Sequence, residues 1–521
     1  MPIFSVIAWH RLGEYLHETR LLGSIQRTLY WDQNTVMPPQ GAHWRGEQLT
    51  LLASYLHSRQ SSAEFEELIL EAKAELEEAI KLENIESSQS FDRLRNIELL
   101  EKELHRQKRL DPDLVALLAL TQARGYNTWK IAKENNDYPS FAVVLKDLIS
   151  LRKEQAKQLS EERSCWETLA QPFEPDLTLK RLKELFDPLK KRLPELLEVA
   201  KTIESSTSIK WDLDEKAQEF LSNQLLKQWG RDFRITSLAR SPHPFSITLG
   251  PQDFRITTRV VKGQPLSCFL AIAHEWGHSL YEQGLPTQSH QWFDWPLGEA
   301  TSMGLHESQS LFWENRIARS LAFSKRFWRV FADAGAPINS GFQLWHYMNP
   351  LKPGLNRVEA DELSYGMHIL IRTDLEIALL EEGLDVMDLP NEWNEKYQDL
   401  LGVRPRNDSE GCLQDVHWSE GQFGYFPSYL LGHLISAQLS EAMNKSFLSL
   451  ESSTNGLDPI DFYISKGNEE KLLGWLRDNV HPYGRKVNAE ELVEEVTERP
   501  LCSSVFLKYL EKKLNRLIEA S

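Results

Sequence analysis

The sequence predicts an almost all-α protein interrupted by one small β-rich segment. Two observations carry that expectation: long Glu-, Lys- and Leu-rich stretches with apolar residues at helical spacing, and a single β-prone run near the middle of the 521-residue chain. The first such stretch, 63–110, reads as antiparallel helices whose charges form solvated faces. Similar patterns run through 142–164, 178–204, 213–228, 360–382 and 486–519. The stretch 232–260 breaks this habit. Its residues 245–249 and 254–260 are short β-prone runs separated by Gly250-Pro251-Gln252-Asp253, so a small hairpin is expected there. An amphipathic helix follows at 268–284, stopped by Gly284 and Pro286, and 297–323 reads as another helix.

The chain is too long for one compact core, and two or more lobes are expected within one 1–521 unit, softly divided into 1–230 and 231–521. No repeat, low-complexity tract or Gly/Ser linker divides them. The composition, 41% hydrophobic and 26% charged, is that of a globular chain. A formal charge of −17 repels phosphate backbones and argues against nucleic acid as a partner. Cys165, Cys268, Cys412 and Cys502 are widely spaced, which fits a reducing compartment and excludes a sulfur-ligated zinc site. The first twenty residues lack a secretory h-region and no stretch is apolar enough to cross a bilayer, so no membrane association and a cytoplasmic location are expected.

Within 268–284 stands His274-Glu275-Trp276-Gly277-His278. Residues four apart share one helix face, so His274 and His278 can present two imidazoles to one cation, with Glu275 in reach of a water beside it. Phe269, Ile272, Trp276 and Leu280 lie on the opposite side and suit a helix packed on core. With 15 His in the chain, chance supplies only about 0.04 such motifs. The arrangement suits a zinc hydrolase, which needs a third protein ligand. His290, Asp294, Glu299, His306, Glu307 and Glu314 are the nearby candidates. Glu299, Glu307 and Glu314 fall on roughly one face of the expected 297–323 helix, and spacing does not choose among them.

Further motifs make a family resemblance specific. The chain resembles the carboxypeptidase Taq family of metallocarboxypeptidases over nearly its whole length. Residues 29–48 (LYWDQNTVMPPQGAHWRGEQ) are similar to the family's Trp-Asp-Gln-x-Thr-x-Met-Pro signature. His243-Pro244-Phe245 resembles its HPF motif and 253–257 (DFRIT) its D-x-R-x-T motif. The His274–His278 motif comes next, and 306–315 (HESQSLFWEN) resembles the segment with the third ligand. Residues 356–361 (NRVEAD) and 411–418 (GCLQDVHW) match the last two. Two departures stand out: the loop around 287–295 (TQSHQWFDW) is a few residues longer, with aromatic bulk expected at the groove rim, and Asn356 replaces the common Ile.

The resemblance implies an all-α, saddle- or clam-shaped gluzincin with a deep groove, a broad-specificity carboxypeptidase that forms a homodimer. It makes His274, His278 and Glu307 the ligands of one zinc (or cobalt) ion, Glu275 the general base, and Glu299 a structural carboxylate. Arg357 becomes the receptor for a peptide's free C-terminal carboxylate, a role suited to a guanidinium. On its neighbours alone, Arg357 has Glu359 and Asp361 as partners. His417, Tyr425 and Tyr429 are candidates for stabilising an oxyanion, although aromatic residues at that spacing also suit core. His243 and Arg255 are expected at the closed end of the groove. A metal-dependent oligopeptidase and a non-catalytic helical peptide-binding protein are the alternatives.

Overall fold

A computed structural model describes residues 7–83, 88–160, 162–201, 211–287, 292–449, 454 and 456–519. Helices dominate them, from Ile7–Thr35 to Ser503–Glu519, with three short strands between. Ala63–Glu83 and Ser88–Lys108 fill the first predicted stretch. They run antiparallel, as the Lys73–Glu101 and Lys108–Glu66 ion pairs require. Tyr138–Leu159, Leu179–Ala200, Glu215–Gln228 and Glu362–Ile377 match further predicted helices. Among the described residues no helix is long and apolar enough to cross a membrane.

Two predicted helices are broken. The 486–519 stretch forms Ala489–Thr497 and Ser503–Glu519. Glu498 turns left-handed at φ 61°, and Pro500 can neither donate to a helix nor leave Arg499 helical. The 297–323 stretch becomes α-helical only at Met303, where the Ser302 side chain accepts from the Leu305 N–H. A π-helical turn, Phe312–Ala318, then widens the coil before Ser320 caps a new helix, Leu321–Asp333. Glu299 therefore lies outside the helix that carries Glu307 and Glu314.

The expected hairpin is present. Strands β2 (Ser246–Gly250) and β3 (Asp253–Thr258) pair antiparallel across the tight Pro251-Gln252 turn. A third strand preceding them, β1 (Thr236–Arg240), lies parallel to β3 and gives the order β1-β3-β2. This strand was not expected, because its sequence TSLAR carries no clear alternation and it pairs in parallel with β3, skipping the intervening β2. The sheet lies on the Ser267–Gly284 helix, with Thr248 donating to Glu282 at 3.2 Å.

The apolar core has two parts. A large one gathers residues from Ala132 to Leu514 and includes Phe269, Ile272, Trp276 and Leu280, the four predicted on the metal-motif helix. A smaller one joins the first helices to Trp292, Trp295 and Leu297. There Trp9 stacks on Trp295 at 4.0 Å. The aromatic residues of the lengthened loop are thus buried against the first helix rather than exposed at a rim, since two indoles gain more by stacking out of water. His290, in the same loop, lies outside the described residues.

Gly277 sets how closely the Ser267–Gly284 and Met303–Leu311 helices approach. A Cβ there would lie 2.7 Å from Ser310 Cα and 2.9 Å from the Gln309 carbonyl oxygen, both backbone atoms. Gly277→Ala is expected to lower stability by about 1–3 kcal/mol through forced separation of the two helices, as read by urea denaturation.

Candidate metal and substrate site

The Ser267–Gly284 helix aims His274 and His278 at one point, and the Met303–Leu311 helix brings Glu307 to it from the side. Their ligand atoms lie within 4.8 Å of one another. Glu307 Oε2 is 3.6 Å from His274 Nε2 and 3.4 Å from His278 Nε2. Two imidazoles and a carboxylate form a donor set that suits a divalent cation such as zinc. On the far side of Glu307 runs the Pro427–Leu448 helix, which comes so close that a Cβ at Gly432 would meet Glu307 Cγ at 2.7 Å.

The groups behind the histidines settle whether the set fits a metal. A lone pair on His274 Nε2 requires the proton on Nδ1, and that atom lies 3.0 Å from Glu314 Oε2. Arg319 in turn donates to Glu314 Oε1 from Nε at 3.1 Å and Nη2 at 2.9 Å. The same tautomer of His278 donates from Nδ1 to His306 Nδ1 at 2.7 Å. His306 then donates from Nε2 to Glu282 Oε1 at 2.9 Å. With Nδ1 as the donor in both chains, Nε2 is the ring atom that faces the cluster, the usual arrangement behind metal-binding histidines. His306 and Glu314, candidates for the third ligand, stand behind the histidines. Glu299 is remote from the set and pairs with Arg20 at 2.9 Å and Arg485 at 3.2 Å.

Burial governs the charges. It opposes charge on His274, but Glu307, Glu314 and Glu275 outweigh it and raise the imidazole to about 10. Burial and the neighbouring His306 lower His278 to about 4. Glu307 is held at about 2 against its burial by His274 and His278. Burial raises Glu275 to about 7, only partly offset by His274.

A second cluster faces this one. Arg357 is buried and directs Nε and Nη2 to Asp415 Oδ1, each at 2.9 Å. Asp415 Oδ2 accepts from Arg372 Nε at 2.6 Å. The two local partners lie elsewhere: Asp361 caps the Glu362–Ile377 helix and Glu359 accepts from Gln264 at 3.3 Å. A buried carboxylate two segments away outcompetes them because it meets both guanidiniums at once. Burial opposes the Asp415 charge, yet Arg372 and Arg357 hold its carboxyl far below the usual range. Arg357 Nη1 donates to the Tyr365 hydroxyl at 3.3 Å.

His417, Tyr425 and Tyr429 join this cluster. His417 Nε2 lies 3.3 Å from the Tyr429 hydroxyl, and the Tyr425 and Tyr429 rings meet edge-on at 5.3 Å. Burial lowers His417 to about 4. Burial and the Glu307 carboxylate raise Tyr425 to about 12. Glu307 also raises Tyr365 and Tyr429, so all three phenols feel the metal cluster.

His243 and Arg255 stand apart from both clusters, Arg255 on β3 and His243 in the connection between β1 and β2. His243 is exposed, and Arg255 forks onto Asp253 at 2.8 and 2.7 Å while lying 4.8 Å over the Trp31 ring. Tyr30 meets Phe245 edge-on at 5.7 Å. The 29–48 motif thus packs against the 243–245 and 253–257 motifs, some two hundred residues further along the chain. Sequence reasoning missed Glu282, Tyr365, Arg372 and Asp415 as parts of these networks. Glu282 carried one signal, its place four residues after His278; Asp415 carried only its place in 411–418.

The carboxypeptidase Taq (M32) metallopeptidase model matches residues 11–514. Thermostable carboxypeptidase 1 of Thermus thermophilus is 34% identical, with 97% of this chain and 98% of that protein covered. Carboxypeptidase 1 of Bacillus subtilis is 32% identical, with 94% of each covered. The crystal structure of the M32 carboxypeptidase from Deinococcus radiodurans superposes with a TM-score of 0.89 at 29% identity, covering 98% of this chain and 99% of that one.

Adding Zn2+ to metal-free protein at pH 7 is expected to release about one proton per ion, because His274 must give up the proton that its acidic neighbours favour. The sign follows from a value raised to about 10: metal affinity rises with pH up to that point and falls on acidification. Glu314→Gln should weaken metal binding by about 10–100-fold. A pH-indicator titration and competition with a fluorescent chelator measure the two effects.

Proposed function

The chain belongs to the carboxypeptidase Taq (M32) family and is a metallocarboxypeptidase, and we propose that it removes single residues of broad type from peptides with a free C-terminus. The observation that carries this reading is the convergence of His274, His278 and Glu307 within 4.8 Å, with Glu275 buried beside them. We assign these three as ligands of one zinc ion, cobalt being an acceptable replacement. When bound, the metal supplies Lewis-acid chemistry that acidifies water and polarises a carbonyl.

The chain's own residues do the rest. Glu275, at about 7, is suited to accept the proton of the attacking water near neutrality and to return it to the leaving amine. Arg357 receives the terminal carboxylate. Asp415 occupies its Nε and Nη2, which fixes the guanidinium plane and leaves Nη1 beside Tyr365 for substrate. Tyr425 and Tyr429 stay protonated and donate toward the developing oxyanion, while a neutral His417 orients Tyr429. His243 and Arg255 limit the groove at its closed end. A homodimer and a cytoplasmic location belong to the same proposal and rest on the family resemblance and the sequence.

A peptide with a free C-terminus should shorten one residue at a time, and its C-terminal amide should resist; mass spectrometry of timed digests reads both. Equal cleavage of the two would point to an oligopeptidase. Glu275→Gln is expected to lower kcat by about 10²–10⁴-fold with metal retained, and Arg357→Gln to lower kcat/KM for free-carboxylate peptides by about a hundredfold. Elemental analysis of Glu307→Ala should show metal lost, whereas Glu299→Ala should keep it; the reverse pattern would reassign the ligand.

A further inference from the structure

Away from the metal cluster, a cavity of about 410 Å³ opens between the Phe312–Ala318 turn, the Pro427–Leu448 helix and the Ser503–Glu519 helix. Leu321, Trp345 and Val505 contribute apolar wall. Its charge is one-sided: seven cationic side chains against three acids, in a chain of formal charge −17. Several of the cations are already paired. Lys512 binds Asp458 and Lys513 binds Glu362, each at 2.6 Å, and Arg319 holds Glu314.

Arg316 differs. It is 7% exposed, yet its Nε and Nη1 are buried without a hydrogen-bond partner. Its guanidinium carbon lies 3.0 Å from the centre of the Tyr509 ring, which supplies a cation–π face but no anion. Glu362 acts on it electrostatically but makes no hydrogen bond or close ion pair with it: Oε2 is engaged by Lys513 and Tyr509, and Oε1 has no hydrogen-bond partner. A buried cation lacking a hydrogen-bonded anion is costly to keep, and a charged group lining an open cavity can recover that cost by binding one.

We propose that this cavity binds a small oxyanion, a carboxylate or phosphate group on a short apolar body, with Arg316 as its buried counter-ion. The exposed Lys445 and Lys508 at its lining steer the anion in. Arg319 lines the same cavity and grips the carboxylate behind His274, so the bound anion lies one ion pair away from the metal cluster.

Calorimetric titration of the metal-loaded full chain with hexanoate and, separately, with inorganic phosphate tests this. One saturable site is expected that depends on Arg316; tighter hexanoate assigns an apolar carboxylate, and tighter phosphate a phosphoryl group. Arg316→Gln should weaken it at least about tenfold. The double variant Lys445→Ala/Lys508→Ala changes only exposed side chains and should weaken it several-fold with a shallower salt dependence. Unchanged binding in both variants, loss of binding in Arg357→Gln instead, or no binding tighter than about 10 mM would overturn the proposal.

Discussion

The constraint on which the rest depends is the closeness of three helices at Glu307. Two imidazoles can share a helix face at no cost, but a carboxylate from another helix reaches them only if the backbones nearly touch. Gly277 removes the side chain on one flank and Gly432 on the other, each where a Cβ would lie 2.7 Å from an atom of the middle helix. Close-packed interiors do not yield to such overlaps. The geometry of the donor set is therefore written into two positions that hold no donor atoms.

Crowding acids and imidazoles into a half-buried volume creates an electrostatic problem, which the fold answers by layering. Glu275 is buried, and the half-buried Glu307, Glu314 and Glu282 stand in the same region. The imidazoles of His274, His278 and His306 and the guanidinium of Arg319 are interleaved among them. Each histidine has a carboxylate behind it, directly for His274 and through His306 for His278. The π-helical turn contributes here, because Phe312–Ala318 carries Glu314 while the helix before it carries Glu307. Turns of this kind recur at functional sites.

The sequence made the metal-motif helix legible because a strong apolar stripe, a fourfold spacing and a Gly-Pro stop all agree there. The hairpin was readable for a similar reason, with β-prone runs on both sides of a turn signal. What escaped had a weak local pattern or a partner that only folding supplies. Strand β1 exists because β3 accepts it, and the 486–519 stretch looked continuous until Pro500 and the left-handed Glu498 divided it. Arg357 shows the same limit at the site. Its neighbours offered Glu359 and Asp361, and only folding brings Asp415 and Arg372 beside it.

That pairing bears on how an exopeptidase distinguishes a chain end. An arginine free in a groove would bind any carboxylate in several orientations. Asp415 removes that freedom by holding one edge of the guanidinium, while Arg372 neutralises the excess negative charge that the aspartate would bring. A single positive charge is left among Arg357, Asp415 and Arg372, in fixed orientation and with a tyrosine hydroxyl beside Nη1. Burial strengthens that charge toward a substrate carboxylate and penalises a peptide that brings none, since the guanidinium must then lose water without a replacement. In the proposed reading, selectivity for the chain end resides in a buried ion network, with Arg357 as the member that meets the substrate carboxylate.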